Sequence, residues 1–286
     1  MKIATWNVNS IRTRLDHVVQ WLQENPVDVL CLQETKVVDE KFPRSPLEEI
    51  GYHLYVSGQK SYNGVAILSR APLADVSTGF AAVLGENNVG DLDEQKRVIT
   101  GVVDGIRIVN LYVPNGASVG SEKYAYKLRW LEVLREYLQT LIKNQSPVAQ
   151  ASRLLEKEEL EATPNPKSIC ICGDFNIAPE DRDIHDPAAY KGRIMASEKE
   201  RQALQSILEL GLADAFRKFT QEGGHFSWWD YRTAAFRRKW GRRIDHHYLT
   251  PDLYDRATSC TIDVAPRKLP QPSDHTPVIV TISGNS

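Results

Sequence analysis

Six short stretches of this sequence place amides, carboxylates and a histidine where apolar runs begin or end. Asn7 and Asn9 follow KIATW, Gln33-Glu34-Thr35 follow VDVLCL, Asn115 follows LYVP, and Gly173-Asp174-Phe175-Asn176 follow SICIC. Arg243-Ile244-Asp245-His246 opens IDHHYLT, and Ser273-Asp274-His275 opens PVIVTI. If the last two runs are strands antiparallel to the first four, all six groups meet at one sheet edge. Side chains alternate faces along a strand, so Asp174 and Asn176 share a side, as do Thr5, Asn7 and Asn9. Asp274 and His275 are neighbours and face apart, which makes Asp245 the candidate partner for the histidine. Such a pair fixes the imidazole tautomer and raises its pKa. Glu34, Asp174, Asp245 and Asp274, gathered with only amides and one imidazole for relief, require a cation. Oxygen donors without cysteine select a hard ion, Mg²⁺ or Mn²⁺, over zinc. A lone Asp-x-Asn is more often a turn and a lone Asp-His a satisfied cap; six such groups at strand ends in one chain reverse that weighting.

The elements that must position these groups are strands and helices in alternation. Short β-branched runs recur along the chain, and VITGVV-Asp104-Gly105-IRIVNL has the Asp-Gly of a type I′ hairpin between two alternating runs, which excludes a purely parallel sheet. Helical periodicity appears over 11–24, over 121–143 with Leu128, Leu131, Leu134, Leu138 and Leu141 on one stripe, and over 197–210. The class is therefore α/β. With 286 residues, 42% apolar and 25% charged, the chain has ample sequence for a core and is neither disordered nor fibrous. No repeat or linker divides it, so residues 1–286 are expected to form one domain, with 144–166, a charged stretch between NQSPVAQ and ATPNP, as a surface insertion. Cys31, Cys170 and Cys172 sit in apolar runs and, with Cys260, read as core thiols, since C-x-C with no second pair is not a zinc or redox spacing. Neither a leader-like start nor an 18-residue apolar stretch is present, which points to a soluble cytoplasmic protein.

A net charge of -2 gives no general attraction to polyanions, so any nucleic-acid binding must be local. Residues 226–243 are such a place. They interleave Phe226, Trp228, Trp229, Tyr231, Phe236 and Trp240 with Arg232, Arg237, Arg238, Lys239, Arg242 and Arg243, against the single acid Asp230. Arginines neutralise phosphates, and aromatic rings stack on bases or wall a pocket for an extruded sugar, so nucleic acid suits the patch better than a small phosphate ester. The competing reading is a solvated arginine face over core tryptophans.

Taken in order, WNVNSIR (6–12), LQETK (32–36), GVAILSR (64–70), LYVPNG (111–116), GDFNIAP (173–179), FSWWDYR (226–232), RRIDHHYL (242–249) and PSDHTPV (272–278) resemble the exonuclease III family of abasic-site endonucleases, within the endonuclease/exonuclease/phosphatase fold. The resemblance runs nearly end to end. It implies a four-layer α/β sandwich, two packed mixed sheets flanked by helices. It also implies a divalent-metal phosphodiesterase that cuts duplex DNA on the 5′ side of an abasic site, leaving a 3′-OH, with 3′→5′ exonuclease and 3′-end trimming. By resemblance Glu34 is the principal metal ligand with Asn7 beside it, and Asp274 lies near the metal or a second metal position. Tyr112 and Asn176 match phosphate-orienting residues. Asp174 matches the carboxylate that activates water or protonates the departing 3′ oxygen, and His275, held by Asp245, the group that contacts the scissile phosphate. The expected partner is duplex DNA with abasic sites or blocked 3′ ends, met by a monomer through Trp228, Trp229, Tyr231, Arg232, Arg237, Arg238, Arg242, Arg243 and Ile244. Arg242 departs from the family, which often has an apolar or aromatic residue there. It is expected to point outward to a phosphate, leaving Trp228 and Ile244 to form the abasic pocket. Phospholipid phosphodiesterases of the same fold would bring a signal peptide or a membrane-facing loop. Non-catalytic relatives that regulate RNA lose site residues, whereas Asn7, Glu34, Tyr112, Asp174, Asn176, Asp245, Asp274 and His275 are all present.

Overall fold

A computed structural model describes residues 1–143 and 168–284. The expected insertion at 144–166 lies outside the described residues. Twelve strands are present among the described residues: β1 Lys2–Asn7, β2 Val29–Gln33, β3 His53–Ser57, β4 Val65–Ser69, β5 Ala74–Thr78, β6 Val98–Val103, β7 Ile106–Tyr112, β8 Ser168–Asp174, β9 Ala213–Asp214, β10 Asp245–Leu249, β11 Ala257–Ile262 and β12 Val278–Ile282. They form two six-stranded sheets, ordered β11-β12-β1-β2-β4-β3 and β5-β6-β7-β8-β10-β9. In each sheet one central pair is parallel, β1 with β2 and β7 with β8, and every other pairing is antiparallel.

The central strands are continuous apolar runs because both of their faces are covered. β2, β4 and β7 are buried at every position. Ile3, Val29, Cys31 and Val280 from the first sheet meet Ile108, Cys170 and Cys172 from the second in one core between the sheets. The helix α1 (Ile11–Glu24) covers the outer face of the first sheet through Val18, Trp21 and Leu22. Helices α2 (Glu122–Lys143) and α3 (Glu198–Leu208) cover the second through Leu131, Leu134, Leu138, Leu204 and Ile207. The result is the expected sandwich of helix, sheet, sheet and helix. All four cysteines are buried and free of disulfides.

Local chemistry explains the boundaries. Ser197 caps α3 by accepting from the Glu200 amide, and Glu200 returns the contact in a capping box. Asp104 and Gly105 take φ of 48° and 72°, the two positive angles a type I′ turn needs, and β6 and β7 pair as foreseen. β5 escaped the sequence reading because it is an irregular edge strand, with a register shift between Ala74 and Ser77 and a positive φ at Asp75. On α2 the buried stripe includes Lys127 where the leucine spacing pointed to Leu128.

Candidate active site

Strand direction does the assembling. β1, β2, β7 and β8 end, and β10 and β12 begin, at the same edge, because β10 is antiparallel to β8 and β12 to β1. The register places Asp174 opposite both Tyr112 on β7 and Asp245 on β10, in one row across the second sheet. Gly173 makes this row possible. Its φ is 145°, and a Cβ there would stand 1.9 Å from the Leu111 carbonyl oxygen, so no other residue fits between the strands.

Asn7 joins the two sheets at the site. Its Nδ2 donates to Glu34 Oε1 and to Asp174 Oδ2, each at 2.9 Å. The Asn9 amide donates to Asn7 Oδ1 at 3.0 Å, which fixes the direction of that side chain. Asp174 also accepts from the Asn176 backbone at 2.9 Å and from Asn176 Nδ2 at 3.2 Å. Asn115 Nδ2 donates to Asn176 Oδ1 at 3.1 Å. His275 Nδ1 lies 2.9 Å from Asp245 Oδ2, while Nε2 stands 3.6 Å from Asp174 Oδ2. The imidazole thus sits between two carboxylates, with the Asp245 contact setting Nδ1 as the protonated nitrogen.

The charges follow from that geometry. Burial alone would lower the pKa of His275, but Asp245 and then Asp174 outweigh it and raise it to about 10. Asp174 is raised to about 7: burial pushes it up, His275 opposes, and Asp245 adds to the rise. Glu34 moves the other way. Burial works against its charged form, yet Lys36 and then the Asn7 hydrogen bond hold its carboxyl below the usual range. Burial, reinforced by the Glu34 charge, keeps the Tyr112 hydroxyl well above its ordinary value and therefore protonated.

Glu34, Asp174 and His275 each bring one donor atom within 4.8 Å of the others. Two hard carboxylate donors among them suit an oxygen-seeking divalent ion. Asp274, expected near the metal, falls outside this group of donors. Its Oδ1 accepts from Asn9 Nδ2 at 3.0 Å and its Oδ2 from Trp228 Nε1 at 3.0 Å.

The aromatic and basic segment divides into surface and interior. Tyr231, Arg232, Arg237 and Arg238 are exposed, and Trp228 is half-buried against His275, ring centres 6.5 Å apart. Four of the expected DNA contacts are buried instead. Trp229 packs under Phe226 and Phe236. Ile244 is fully buried with Ala178 and Ile184. Arg243 is 1% exposed and bound to Asp183 at 2.6 Å and Asp214 at 2.7 Å. Arg242 does not point outward: its guanidinium lies 3.9 Å above the Tyr190 ring and 5.1 Å from that of Trp228, in the wall of a cavity of about 270 Å³. Its backbone pairs with Trp228 in both directions at 3.0 Å, which turns the side chain inward.

Residues 4–275 match the Endonuclease/Exonuclease/phosphatase family. The chain belongs to that family. It is similar to exodeoxyribonuclease III of Haemophilus influenzae, 32% identical with 97% of this chain and 98% of that one covered. Among solved structures it resembles the 3′ phosphatase NExo from Neisseria bound to a product DNA hairpin, 39% identical, TM-score 0.86, covering 99% of this chain and 100% of that one. It also resembles an AP endonuclease from Archaeoglobus fulgidus, 38% identical, TM-score 0.84, with the same coverage.

Within this family member, several groups that shape the site gave weaker sequence signals. Asn9 and Lys36 belong to quoted motifs, yet only the folded chain shows Lys36 Nζ 3.0 Å from Glu34 Oε2 and bound to Asn9 Oδ1. Tyr190 stands in a segment without a motif. Asp183 and Asp214, which hold Arg243, are distant from it in sequence and had no periodicity to mark them. Lys127 bonds the Asn176 carbonyl at 2.8 Å and Glu200, anchoring the loop behind Asp174.

Proposed function

We propose that this protein is a DNA-repair phosphodiesterase that requires Mg²⁺ or Mn²⁺ and hydrolyses the bond 5′ to an abasic site in duplex DNA, leaving a 3′-OH. The same site trims 3′ ends and degrades strands in the 3′→5′ direction. One observation carries the reading: a single amide, Asn7, bridges Glu34 and Asp174 at 2.9 Å each, with the His275–Asp245 pair directly beside Asp174. A metal-binding carboxylate, a proton-transferring carboxylate and a cationic phosphate contact are thereby held in one row. The relatives' exodeoxyribonuclease and AP endonuclease names support the same substrate class.

Glu34, with Asp174 at the margin, would hold the divalent ion, which supplies Lewis-acid stabilisation of negative charge on the phosphate oxygens. Tyr112, kept protonated, donates a hydrogen bond that orients those oxygens. His275, kept protonated by Asp245, places a fixed positive charge against the charge that develops on phosphorus. Asp174 takes the proton of the attacking water or gives one to the departing 3′ oxygen, and the amides of Asn7 and Asn176 hold its carboxylate in place. Arg237, Arg238 and the exposed ring of Tyr231 offer phosphate and stacking contacts to the duplex.

The test is a duplex carrying one abasic site, incubated with and without Mg²⁺. Incision on the 5′ side, abolished by EDTA, is expected; full incision by metal-free protein overturns the reading.

A further inference from the structure

The core between the sheets holds a second group of metal-binding side chains, made of soft donors where the carboxylate row has hard ones. Cys170 and Cys172 share a face of β8, and the register of β10 places His247 opposite Cys172. Both sulfurs and a ring nitrogen of His247 lie within 4.8 Å of one another. Cys172 contacts Cys170 and also Cys31, which comes from β2 in the other sheet. C-x-C alone is not a zinc spacing, but the fold supplies the missing donors from β10 and β2. The histidine is oriented as a ligand. Its Nε2 lies 3.0 Å from the Val278 carbonyl oxygen, which can only accept, so the proton sits on Nε2 and the Nδ1 lone pair faces Cys170 Sγ at 3.7 Å. A backbone carbonyl on the far ring nitrogen is the contact that fixes metal-binding imidazoles. Tetrahedral zinc, with bonds of about 2.3 Å to sulfur and about 2.0 Å to nitrogen, would hold those two donors about 3.6 Å apart, close to the spacing found.

We propose that Cys31, Cys170, Cys172 and His247 form a structural zinc site in the core, separate from the carboxylates of Glu34 and Asp174. Thiolate and imidazole donors select Zn²⁺ over Mg²⁺ or Mn²⁺, and four protein donors leave no open position for water. All four side chains are fully buried, so the ion is taken up as the chain folds. Two of the thiols lose their protons to solvent as it binds, which balances its charge, and the neutral imidazole and the third thiol complete the shell. The placement bears on the site above it. Cys31 lies three residues before Glu34, Cys172 two before Asp174 and His247 two after Asp245, so the ion ties β2, β8 and β10 together directly beneath the carboxylate row. The inference does not depend on the phosphodiesterase reading.

The experiment uses the full chain, expressed in medium supplemented with Zn²⁺ or with Co²⁺ in its place, purified under reducing conditions and passed over a chelating resin in excess Mg²⁺. Elemental analysis is expected to find about one zinc per chain. The cobalt form is expected to show thiolate-to-metal charge-transfer absorption and the d–d bands of a tetrahedral ion, a signature that carboxylates do not produce. Cys172→Ala and His247→Gln should each bring the zinc content below about a tenth of the wild-type value, whereas Glu34→Ala, which alters only the carboxylate row, should keep it. Wild-type protein without zinc, and with no charge-transfer band in the cobalt preparation, overturns the site whether or not any variant folds. Zinc that persists in both Cys172→Ala and His247→Gln, or that is lost from Glu34→Ala alone, belongs to the carboxylates and overturns it as well.

Discussion

Replacing Arg243 by methionine separates a structural arginine from a DNA contact. Arg243 is 1% exposed and places Nε 2.6 Å from Asp183 Oδ1 and Nη2 2.7 Å from Asp214 Oδ2. Asp183 is wholly buried. Methionine fills most of the volume but leaves both carboxylates without that partner, and removing one member of a buried ion pair costs about 3–5 kcal/mol. Arg217 still reaches Asp183, which confines most of the loss to Asp214 and puts the expected value near the lower end, ~3 kcal/mol. Urea denaturation at neutral pH measures it. Adding Asp214→Asn to Arg243→Met should recover part of the stability, because the stranded charge is then absent. DNA affinity measured across a salt series at a temperature where the variant is folded should keep its slope. A stability change under ~1 kcal/mol together with a slope reduced by about 0.9, the signature of one lost phosphate contact, would refute the assignment.

Three further outcomes are expected. Glu34→Ala should shift the Mg²⁺ concentration for half-maximal incision upward by about tenfold or more with the fold intact, checked by a metal titration and circular dichroism. Asp174→Asn, nearly isosteric but unable to carry a proton, should lower turnover by about 10²-fold or more while duplex binding stays within a few-fold; turnover close to wild type would remove Asp174 from the proton-transfer role. Burial first, then the Arg243 charge, lowers His246 from 6.5 to about 4 in the folded state. The unfolded chain therefore binds the extra proton between these values, and stability should fall as pH drops through that window by up to about 3 kcal/mol relative to His246→Gln, read from urea midpoints at several pH values.

The parts of this protein that were legible in its sequence are those set by short-range periodicity. The Asp104-Gly105 turn, the amphipathic α1 and the polar groups ending β1, β2, β7 and β8 all follow from local rules, and antiparallel placement of β10 and β12 then brings them to one edge. The adjacency rule also separated Asp274 from His275 correctly, since the first faces Trp228 and the second Asp245. What could not be read was which arginines of 226–243 face water. That depends on acids contributed from elsewhere: Asp183 and Asp214 lie 60 and 29 residues before Arg243. Composition identified a basic aromatic segment, but burial divided it, sending Arg237 and Arg238 outward and Arg242 and Arg243 inward.

The site draws Asn7, Glu34 and His275 from one sheet and Tyr112, Asp174 and Asp245 from the other, so its geometry depends on how the sheets are placed against each other. The apolar core between them is non-directional and tolerates small slides. A buried amide pair supplies the missing direction. Gln33 Nε2 donates to Thr5 Oγ1 at 2.9 Å within its own sheet and to Asn110 Oδ1 at 2.7 Å across the gap. Asn110 Nδ2 returns bonds to the carbonyls of Leu32 and Ala66 at 3.0 and 2.8 Å. Each such bond contributes only ~1 kcal/mol net, and a well-packed apolar pair would serve stability about as well. Polar groups there are better explained by angle and distance: Gln33 immediately precedes Glu34, and Asn110 lies two residues before Tyr112. A slide of either sheet would strand buried amides before it displaced the carboxylates, and the cost of that stranding ties the position of the carboxylate row to the register of the core.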